Sequence, residues 1–472
     1  AVPTVIFRQI AKNIKASIQK DVLDERDAQK IIDAHSLYSI EKIKSFVEQN
    51  LEQYSYAELS KIVELANATR LEHAAYYTRQ DICFTVIKDL PDASDFSSLK
   101  ILEPSVGAGN FLPLLIEKYK SVPEVQIDLI DIDPNAIEIL KILIKKLNIP
   151  RNFKINFINA DFLLFGCNGL FNTENVYYDI VVGNPPFGKL SNDENLLIEY
   201  KRNKRNQKTN NLFSFFLEKA MSHADITALI IPKSFLSTPE FNDTREAVSE
   251  FAIEKITDYG ERGFKGVKIE TISLIVNTKK KGLNNETLVE SYVKNEIGFK
   301  EQNYICSKEF PYWLVYRDTF FDSVASKLKF GVFDAYRDRQ ITKRITKSTG
   351  RIRVLKSRNI GSNVVVDIPN YDSYVDDCEE FAIGKYINHA TAVLVPNLTY
   401  NPRACFLPED TIVDGSVAVL IPKDDAEVTE DHLAYYNSEE FVEFYRVARN
   451  YGTRSLNIDN NSVFFFGLPK GV

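Results

Sequence analysis

Between about residues 99 and 280, short runs of β-branched residues alternate with stretches of helical periodicity. The runs are "KIL", "VQIDLIDID", "INFINAD", "YYDIVVG", "ITALIIP" and "TISLIVNT". The helical stretches lie near 110–119, 134–147 and 211–223. Two parallel strands need a crossover of about a dozen residues, commonly a helix. The alternation therefore predicts a parallel, doubly wound α/β sheet of the Rossmann-like kind.

The sequence changes character on both sides of this region, and 472 residues are too many for one ordinary core. The N-terminal stretch has apolar positions three and four apart and almost no Gly or Pro, which predicts helices. After "NTKKKGLNNETLVE", strands, aromatic residues and basic residues mix without βα alternation. We expect an N-terminal helical segment (1–70), an α/β domain (71–284) and a mixed α+β domain (285–472).

Composition restricts the class of protein. Hydrophobic content of 44% with 26% charged residues is typical of a globular protein. No run approaches the ~20 apolar residues of a membrane span, and the N-terminus lacks a secretory apolar region. The five cysteines lie far apart without metal-ligand spacing, so we expect reduced thiols, no metal site and a cytoplasmic location.

The net charge of −7 argues against a protein coated in nucleic acid, but the charges are unevenly distributed. From Lys327 to Arg358 there are eleven Lys and Arg residues against two Asp. A second basic group lies near residues 201–208. Such runs are usually solvated faces, and a nucleic-acid contact is the alternative.

The first predicted strand leads into "ILEPSVGAGNFLPLLIEKY", where Gly107 and Gly109 occupy the turn to the next helix. Ligands of open α/β sheets collect at the carboxyl ends of the strands. A dinucleotide motif would have a third glycine where this chain has Leu112, and Glu103 precedes the loop. Because a carboxylate repels a pyrophosphate and attracts an amino group, the loop favours a cationic nucleoside over a dinucleotide.

Acids follow the next two strands as well. Asp131 and Asp133 end the second strand, and either could bind ribose hydroxyls; the alternation of the strand does not choose between them. After the third strand, Asp161 could accept from an adenine amino group while Phe162 covers the ring. Each acid alone is more often a helix cap, but three successive strand ends of this kind favour a nucleoside pocket.

The fourth run, in "YYDIVVGNPPFGKL", ends at a glycine and meets Asn184-Pro185-Pro186-Phe187. Proline cannot continue a central strand, so the simple interpretation is a strand that ends in an Asn-Pro turn. The alternative is that the two prolines hold an amide and an aromatic ring rigidly over a planar group.

Taken in this order, the motifs resemble the gamma-class N6-adenine DNA methyltransferases (TaqI-like enzymes) of type II restriction–modification systems. The resemblance spans about residues 70 to 280. It includes "AAYYTRQDICFTVI", in which Arg79 stands where the family usually has proline, and also "NLFSFFLEKAM", "ALIIPKSFL", "ETISLIV" and "YGERGF". It implies a methyltransferase fold, S-adenosyl-L-methionine as cofactor and double-stranded DNA as substrate.

The resemblance also implies roles for individual residues, with Glu103 at the methionine amino group, Asp131 at the ribose and Asp161 at the adenine. The implied cofactor-binding set is Tyr77, Thr78, Glu103, Pro104, Gly107, Gly109, Asp131, Ile132, Asp161, Phe162 and Asn184. The implied catalytic residues are Asn184, Pro185, Pro186 and Phe187. The residues expected at the substrate are Phe187, Phe264, Lys201, Arg202, Arg351, Arg353, Lys356 and Arg358.

The implied chemistry explains the catalytic motif. An adenine amine is a poor nucleophile because its lone pair is delocalised into the ring. If both N–H groups donate to fixed acceptors, the Asn184 side-chain oxygen and the Pro185 carbonyl, the nitrogen is drawn towards tetrahedral geometry. Phe187 would stack on the base, which must be flipped out of the duplex. A sulfonium methyl group is already activated, so neither a strong base nor a metal is expected.

The C-terminal domain is expected to recognise DNA, since its basic run and "RNYGTRSLNIDNN" mix residues suited to phosphates and base edges. Only about seventy residues precede the cofactor motifs, so we expect a monomeric, adenine-specific methyltransferase with a separate endonuclease rather than a fused one. One alternative keeps the chemistry and changes the substrate to RNA adenine or protein glutamine. Another is a DNA-binding subunit without enzymatic activity.

Overall fold

The protein is described by a computed structural model that forms two compact units. The residues that it describes are 23–70, 78–166, 176–261, 269–424, 426–453 and 457–471. The first unit holds the described residues up to Lys233 together with Asp243–Gln302. The second holds Ser234–Asn242 and the described residues from Asn303 onwards. Two of the predicted site residues, Tyr77 and Phe264, lie outside the described residues.

A nine-stranded sheet forms the centre of the first unit, in the order β3-β2-β1-β4-β5-β7-β6-β8-β9. The strands are β1 Ser98–Glu103, β2 Glu124–Asp131, β3 Phe153–Asn159, β4 Tyr178–Gly183, β5 Ala224–Pro232, β6 Phe251–Gly260, β7 Thr271–Lys281, β8 Glu286–Ser291 and β9 Glu296–Glu301. Strands β1 to β5 are parallel, and β7 pairs antiparallel with both β5 and β6. This confirms the predicted α/β fold with a mostly parallel sheet.

The far edge of this sheet differs from the expected division of the chain. Strands β8 and β9 come after residue 285, where the sequence places the C-terminal domain. Instead β8 adds parallel to β6, with Leu288 opposite Lys255, and β9 completes an antiparallel hairpin. A hairpin carries no βα alternation, which is why the sequence pattern stopped at β7.

Both units also contain helices. In the described residues they are α1 Glu25–Ala34, α2 Ile40–Gln49, α3 Tyr56–Arg70, α4 Gln80–Ile87, α5 Leu112–Tyr119, α6 Pro134–Leu143, α7 Glu194–Lys201, α8 Leu212–His223, α9 Asn242–Ser249, α10 Gln302–Ile305, α11 Thr319–Ser326, α12 Glu430–Tyr435 and α13 Glu439–Ala448. None of these is long and apolar enough to cross a membrane.

Two apolar cores hold the first unit together. One joins the inner strands to α4 and α5, and it includes Ile101, Leu115, Ile127 and Ile180. The other joins helices α1 to α3 to α6 and to Ala108 of the glycine loop. The N-terminal helices are therefore part of the first unit and cover the start of the cofactor motifs.

The second unit contains small sheets rather than one large one. A four-stranded sheet has the order β11-β17-β14-β15, a three-stranded sheet β13-β12-β16 and a ribbon β10-β18. The strands are β10 Leu328–Lys329, β11 Phe333–Arg337, β12 Ile352–Leu355, β13 Ser373–Val375, β14 Val393–Pro396, β15 Cys405–Phe406, β16 Thr411–Val413, β17 Val417–Pro422 and β18 Leu468–Pro469. Beside the sheets, stacked aromatic rings such as Phe321 on Phe444 (4.6 Å between centroids) tie α11 to α13.

Candidate cofactor and substrate site

The strand order reverses at β1: from β1 the chain continues to β2 and β3 on one side, and then returns to β4 on the other side. Such a reversal opens a crevice at the carboxyl ends of the strands, where open α/β sheets bind their ligands. Three predicted segments end here: the loop that follows Glu103, the end of β2 at Asp131, and Asn184 after β4. The fold therefore brings together acids and an amide that are separated along the chain.

The two loop glycines adopt positive φ angles, +52° at Gly107 and +71° at Gly109, which other residues rarely adopt. The Gly107 backbone N–H donates to Asp131 Oδ2 at 2.9 Å, which links the loop to β2. A Cβ atom on Gly109 would lie 2.5 Å from the hydroxyl oxygen of Tyr56 and 2.8 Å from Leu140. At Gly109, the need for glycine thus comes from packing against α3 and α6.

Helix α3 holds the glycine loop through three residues spaced four apart, Tyr56, Ser60 and Glu64. The Tyr56 hydroxyl donates to the Ala108 carbonyl at 3.2 Å, and the Ser60 hydroxyl donates to the same oxygen at 3.3 Å. Glu64 Oε1 accepts from the Ala108 N–H at 3.3 Å and from Asn110 Nδ2 at 2.8 Å. Sequence reasoning missed these three residues. Their spacing of four places these polar side chains on one face of the helix, and this pattern could have indicated a contact.

Three carboxyl groups converge beside this loop: Glu64, Glu103 and Asp131. Glu103 is 2% exposed. Within the described residues, Glu64 Oε2 and Glu103 Oε2 are buried and accept no hydrogen bond. In the same part of the chain, no lysine or arginine forms an ion pair with any of the three acids, and they do not form a group that could hold a metal ion.

Burial makes ionisation of these acids unfavourable. It raises the pKa of Glu64 to about 8, and the nearby Asp131 carboxylate adds to the shift. Burial, then Glu64 and Asp131, raise the pKa of Glu103 well above the usual range of a carboxyl group. Burial also raises the pKa of Asp131, although the N–H groups of Asp133 and Gly107 partly oppose it. A cation placed among the three would favour their ionised forms.

The two acids at the end of β2 differ in their surroundings. Asp133 Oδ1 accepts from the Asn135 N–H at 2.9 Å and caps α6. Asp131 Oδ1 accepts from the Asp133 N–H at 2.9 Å, while its other oxygen faces the glycine loop. Ile132 between them is 66% exposed, an unusual position for a large apolar side chain at a strand end.

Asn184 is held from two sides. Its Nδ2 donates to Thr78 Oγ1 at 2.7 Å, and its backbone carbonyl accepts from the Ser105 hydroxyl at 2.9 Å. Pro185 is buried and Pro186 is half-buried, so the chain after Asn184 has little freedom. The hydrogen bond turns the amide nitrogen towards Thr78, which leaves the amide oxygen on the other side of the group.

Close packing of the strand ends supports this arrangement. A Cβ atom on Gly183, the last residue of β4, would lie 3.2 Å from the Pro104 ring. Phe187, the last residue of the predicted catalytic motif, is half-buried and meets Phe213 edge to face, with ring centroids 6.4 Å apart. The motif is thus anchored in the α/β core.

The predicted adenine contacts lie after β3. Asp161 Oδ2 accepts from the Tyr200 hydroxyl at 2.5 Å, and Oδ1 accepts from the Leu163 N–H at 2.9 Å. Phe162 is 3% exposed and packs on Phe216 at 5.1 Å between ring centroids. Asp161 lies at the strand end as expected, whereas the Phe162 ring is directed into the core.

The basic residues predicted at the substrate have varied environments in the structure. Lys201, at the end of α7, donates to the Gln207 carbonyl at 2.7 Å. Arg202 is exposed and pairs with Glu199 at 2.6 Å.

In the second unit, Arg353 is 22% exposed on its side chain and bridges Asp367 at 2.6 Å and Asp372 at 3.0 Å. This arginine joins segments of its own unit.

Three further basic residues lie near Arg353 in sequence. Lys356 donates to the Tyr371 carbonyl and lies 3.9 Å above its ring, and the exposed Arg358 lies 4.8 Å from the same ring. Arg351 is exposed and its Nε donates to the Asp376 carbonyl at 3.2 Å.

More accessible cations lie on the loop between β11 and β12. Arg339, Lys343 and Arg344 are exposed there, and among the residues that the structure describes none of them forms an ion pair. This loop, residues 338–351, is anchored at its start, where the buried Asp338 accepts from the Gln340 N–H at 2.9 Å.

Comparison with known proteins finds a family match in the central segment. Residues 125–264 match the family model described as Eco57I restriction-modification methylase. The matched segment runs from β2 through Asn184 to the end of β6 and beyond. No curated protein sequence matches the chain.

Solved structures that match parts of this chain include three of distinct kinds. A protein assigned as a class I S-adenosylmethionine-dependent methyltransferase from Listeria monocytogenes is 18% identical over 57% of this chain and 92% of its own, with a TM-score of 0.42. The type I restriction-modification methyltransferase subunit from Streptococcus thermophilus is 18% identical over 52% and 53%, with a TM-score of 0.40. The type IIG restriction endonuclease BpuSI is 13% identical over 88% and 61%, with a TM-score of 0.46. The chain spans about half the length of the type I subunits that it matches.

Proposed function

We propose that this protein is a site-specific DNA adenine N6-methyltransferase that uses S-adenosyl-L-methionine. The observation that carries the proposal is the Asn184 amide, held by Thr78 and Ser105 beside the buried acids at the carboxyl edge of the sheet. The match of residues 125–264 to a restriction-modification methylase family supports the same reaction class.

S-adenosyl-L-methionine is the cofactor expected for this family and fold, and the residues present fit it. Its ammonium and sulfonium groups are cations, and the crevice has two buried carboxylate oxygens without a hydrogen bond, on Glu64 and Glu103, within the described residues. Glu103 would accept from the amino group and Asp131 from the ribose. The exposed Ile132 side chain would cover one face of the adenine.

When bound, the cofactor supplies a methyl group activated by its positive sulfur. The protein's part is to make the target amine nucleophilic. Asn184 Oδ1 and the Pro185 carbonyl would accept the two N–H groups and so direct the nitrogen lone pair towards the methyl group. Because prolines follow Asn184, these acceptors keep their positions during the reaction, which is catalysis by positioning.

The target adenine of a duplex must leave the base stack to reach Asn184. Phe187 would stack on the flipped base, and Phe264 is proposed as a second aromatic wall. Lys201 and Arg202, which follow the motif on α7, would contact the DNA backbone. Charge-assisted contacts of this kind position a duplex without reading its sequence.

The second unit is proposed to bind and read DNA through its basic run. Exposed cations such as Arg339, Lys343, Arg344 and Arg358 are the best placed for phosphate contacts. A methyltransferase that marks one sequence fits a role in protecting DNA from a cognate restriction endonuclease. We propose that this nuclease is a separate protein and that the methyltransferase acts as a monomer.

The test is a transfer assay with tritiated S-adenosyl-L-methionine on duplex DNA, RNA and protein substrates. The expected result is label in DNA alone, with N6-methyladenine as the product and one sequence motif in single-molecule sequencing. Label in RNA or in protein glutamine would replace the substrate class but keep the Asn184 chemistry. DNA binding without any transfer would indicate a recognition subunit instead.

A further inference from the structure

Helix α3 brings Glu64 to the cofactor crevice, although this residue lies outside all the sequence motifs of the predicted site. Glu64 belongs to the N-terminal helical segment, yet its Oε1 holds the glycine loop through Asn110 Nδ2 at 2.8 Å and the Ala108 N–H at 3.3 Å. Its Oε2 is buried and has no hydrogen-bond partner within the described residues, although the nearby Thr78 backbone N–H partly opposes the rise in the pKa of this carboxyl group. The two oxygens of one carboxylate therefore have different surroundings.

Holding the loop does not require a charge at this position. A glutamine could accept the same two hydrogen bonds through its amide oxygen, without the cost of burying an ionisable group. Leaving a buried acceptor unsatisfied also costs free energy, about 1–3 kcal/mol. Glu103 carries a second such oxygen, and the two acids lie close enough to raise each other's energy when ionised. A cation between the two acids would contact both of these oxygens and favour the ionised forms.

We propose that Glu64 is a cofactor-binding residue whose carboxylate accepts a hydrogen bond from the α-ammonium group of S-adenosyl-L-methionine, beside Glu103. The inference rests on the proposed function, because it takes that cofactor as the ligand of the crevice. An ammonium group has three N–H donors, enough for both acids and one further acceptor. The N-terminal helices thereby contribute directly to the cofactor site as well as covering it.

Protons provide a readout of this contact. The titratable groups that face Glu64 are Tyr56 on its own helix, Cys83 on α4, Glu103 at the end of β1 and Asp131 at the end of β2. Since the pKa of Glu64 is raised to about 8, this acid is mostly protonated at pH 7 before the ligand binds. An ammonium group favours the ionised form, so binding at pH 7 should release a proton and strengthen as pH rises towards 8. The α-amino group of the ligand begins to lose its own proton at about pH 8, which sets the upper limit of this window.

The experiment compares Glu64→Gln with the wild-type protein by titration calorimetry on three ligands at pH 7. S-adenosyl-L-methionine has the ammonium and the sulfonium, S-adenosylhomocysteine has only the ammonium, and 5′-methylthioadenosine has neither. The expected result is a loss of about ten-fold or more for the first two ligands and unchanged affinity for the third. In buffers of different ionisation enthalpy, the variant should also release fewer protons than the wild-type protein.

Ser60→Ala is the matched control, because it weakens the grip of α3 on the loop without removing a charge. It should reduce the affinity for all three ligands by a similar small factor. If Glu64→Gln also affects the three ligands equally, Glu64 only supports the loop and the inference is wrong. A loss confined to S-adenosyl-L-methionine would place Glu64 at the sulfonium and equally overturn it.

Two outcomes separate the inference from the proposed function. If the wild-type protein binds S-adenosyl-L-methionine and the variant binds each of the three ligands as tightly as the wild-type protein does, only the role of Glu64 fails. If the wild-type protein binds none of the three, the proposed function fails and the inference fails with it. Should Glu64→Gln not fold, Glu64→Asp takes its place: the shorter side chain should lose affinity for the two ligands that carry the ammonium and not for 5′-methylthioadenosine, and an equal effect on all three overturns the inference.

Discussion

Charged side chains have different partners in two regions of the molecule, the carboxyl edge of the first unit's sheet and the basic run of the second unit. At the sheet edge, Glu64, Glu103 and Asp131 are close together, and no lysine or arginine of the described residues pairs with them. In the basic run, Arg353 bridges two aspartates and Lys347 pairs with Asp376 at 2.5 Å.

This difference distinguishes charged side chains that stabilise the fold from charged side chains that would bind a ligand. A charge with partners in its own unit contributes to folding, whereas buried acids without a cation are costly until a ligand supplies one. The eleven Lys and Arg residues between Lys327 and Arg358 led us to expect that this run faces DNA. The structure divides them into paired residues such as Arg353 and accessible ones such as Lys343.

The largest expected effect tests whether the sheet edge performs catalysis. Asn184→Ala should reduce methyl transfer by at least about 100-fold, because the target amine loses a positioned acceptor. Binding of S-adenosyl-L-methionine, measured by calorimetry, should survive and weaken far less than turnover. Thr78→Val is the control, since it removes the partner of Asn184 Nδ2 and should cost less activity. Near wild-type turnover in the alanine variant would show that Asn184 is not the catalytic amide.

The second prediction asks which acid at the end of β2 binds the cofactor. Asp131→Asn should weaken S-adenosyl-L-methionine binding about 10- to 150-fold, through loss of charge-assisted hydrogen bonds to the ribose. Asp133→Ala is the variant at the neighbouring acid: it removes the cap of α6, so it should lower stability and leave affinity nearly unchanged. Calorimetry that shows the reverse pattern would move the ribose contact to Asp133.

The sequence predicted the sheet edge better than it predicted the second unit, for a physical reason. The placement of Glu103, Asp131 and Asn184 at one edge follows from local patterns, because parallel strands present all their carboxyl ends at one edge. The contribution of Glu64 could not be found in this way, since it depends on how α3 packs across the loop.

The sequence could not predict contacts between residues that are far apart along the chain. Asn184 meets Thr78 across 106 residues of chain, and the sequence did not predict this contact. The role of Phe162 at the adenine stays a prediction, and its packing on Phe216 could not be read from the local pattern of an aromatic beside an acid. The ion pairs of Arg353 likewise depend on Asp367 and Asp372, which no local pattern connects to it.

The third prediction separates packing from ligand contact in the glycine loop. Gly109→Ala should lower the free energy of unfolding by about 1–3 kcal/mol, because φ is +71° and the added methyl group would overlap the Tyr56 hydroxyl. Gly298→Ala is the control, since a Cβ atom there meets nothing within 4 Å. Denaturant unfolding of the two variants gives the comparison. Equal stability would mean that α3 can shift away from the loop.

The smallest expected effect concerns the accessible cations of the second unit. Replacing Arg339, Lys343 and Arg344 together by glutamine should weaken binding to all duplexes alike, because phosphate contacts carry no sequence information. Each lost contact should reduce the slope of log affinity against log salt concentration by ~0.9.

Replacing Arg353 by glutamine is the contrasting variant. It breaks the bridges to Asp367 and Asp372, so it should lower thermal stability more than it changes the salt dependence. Fluorescence anisotropy over a salt series measures the slope, and S-adenosyl-L-methionine affinity should not change in either variant. If the triple variant keeps the wild-type slope while the Arg353 variant loses it, the paired arginine contacts the DNA. The distinction between paired and accessible charge would then fail as a guide to this surface.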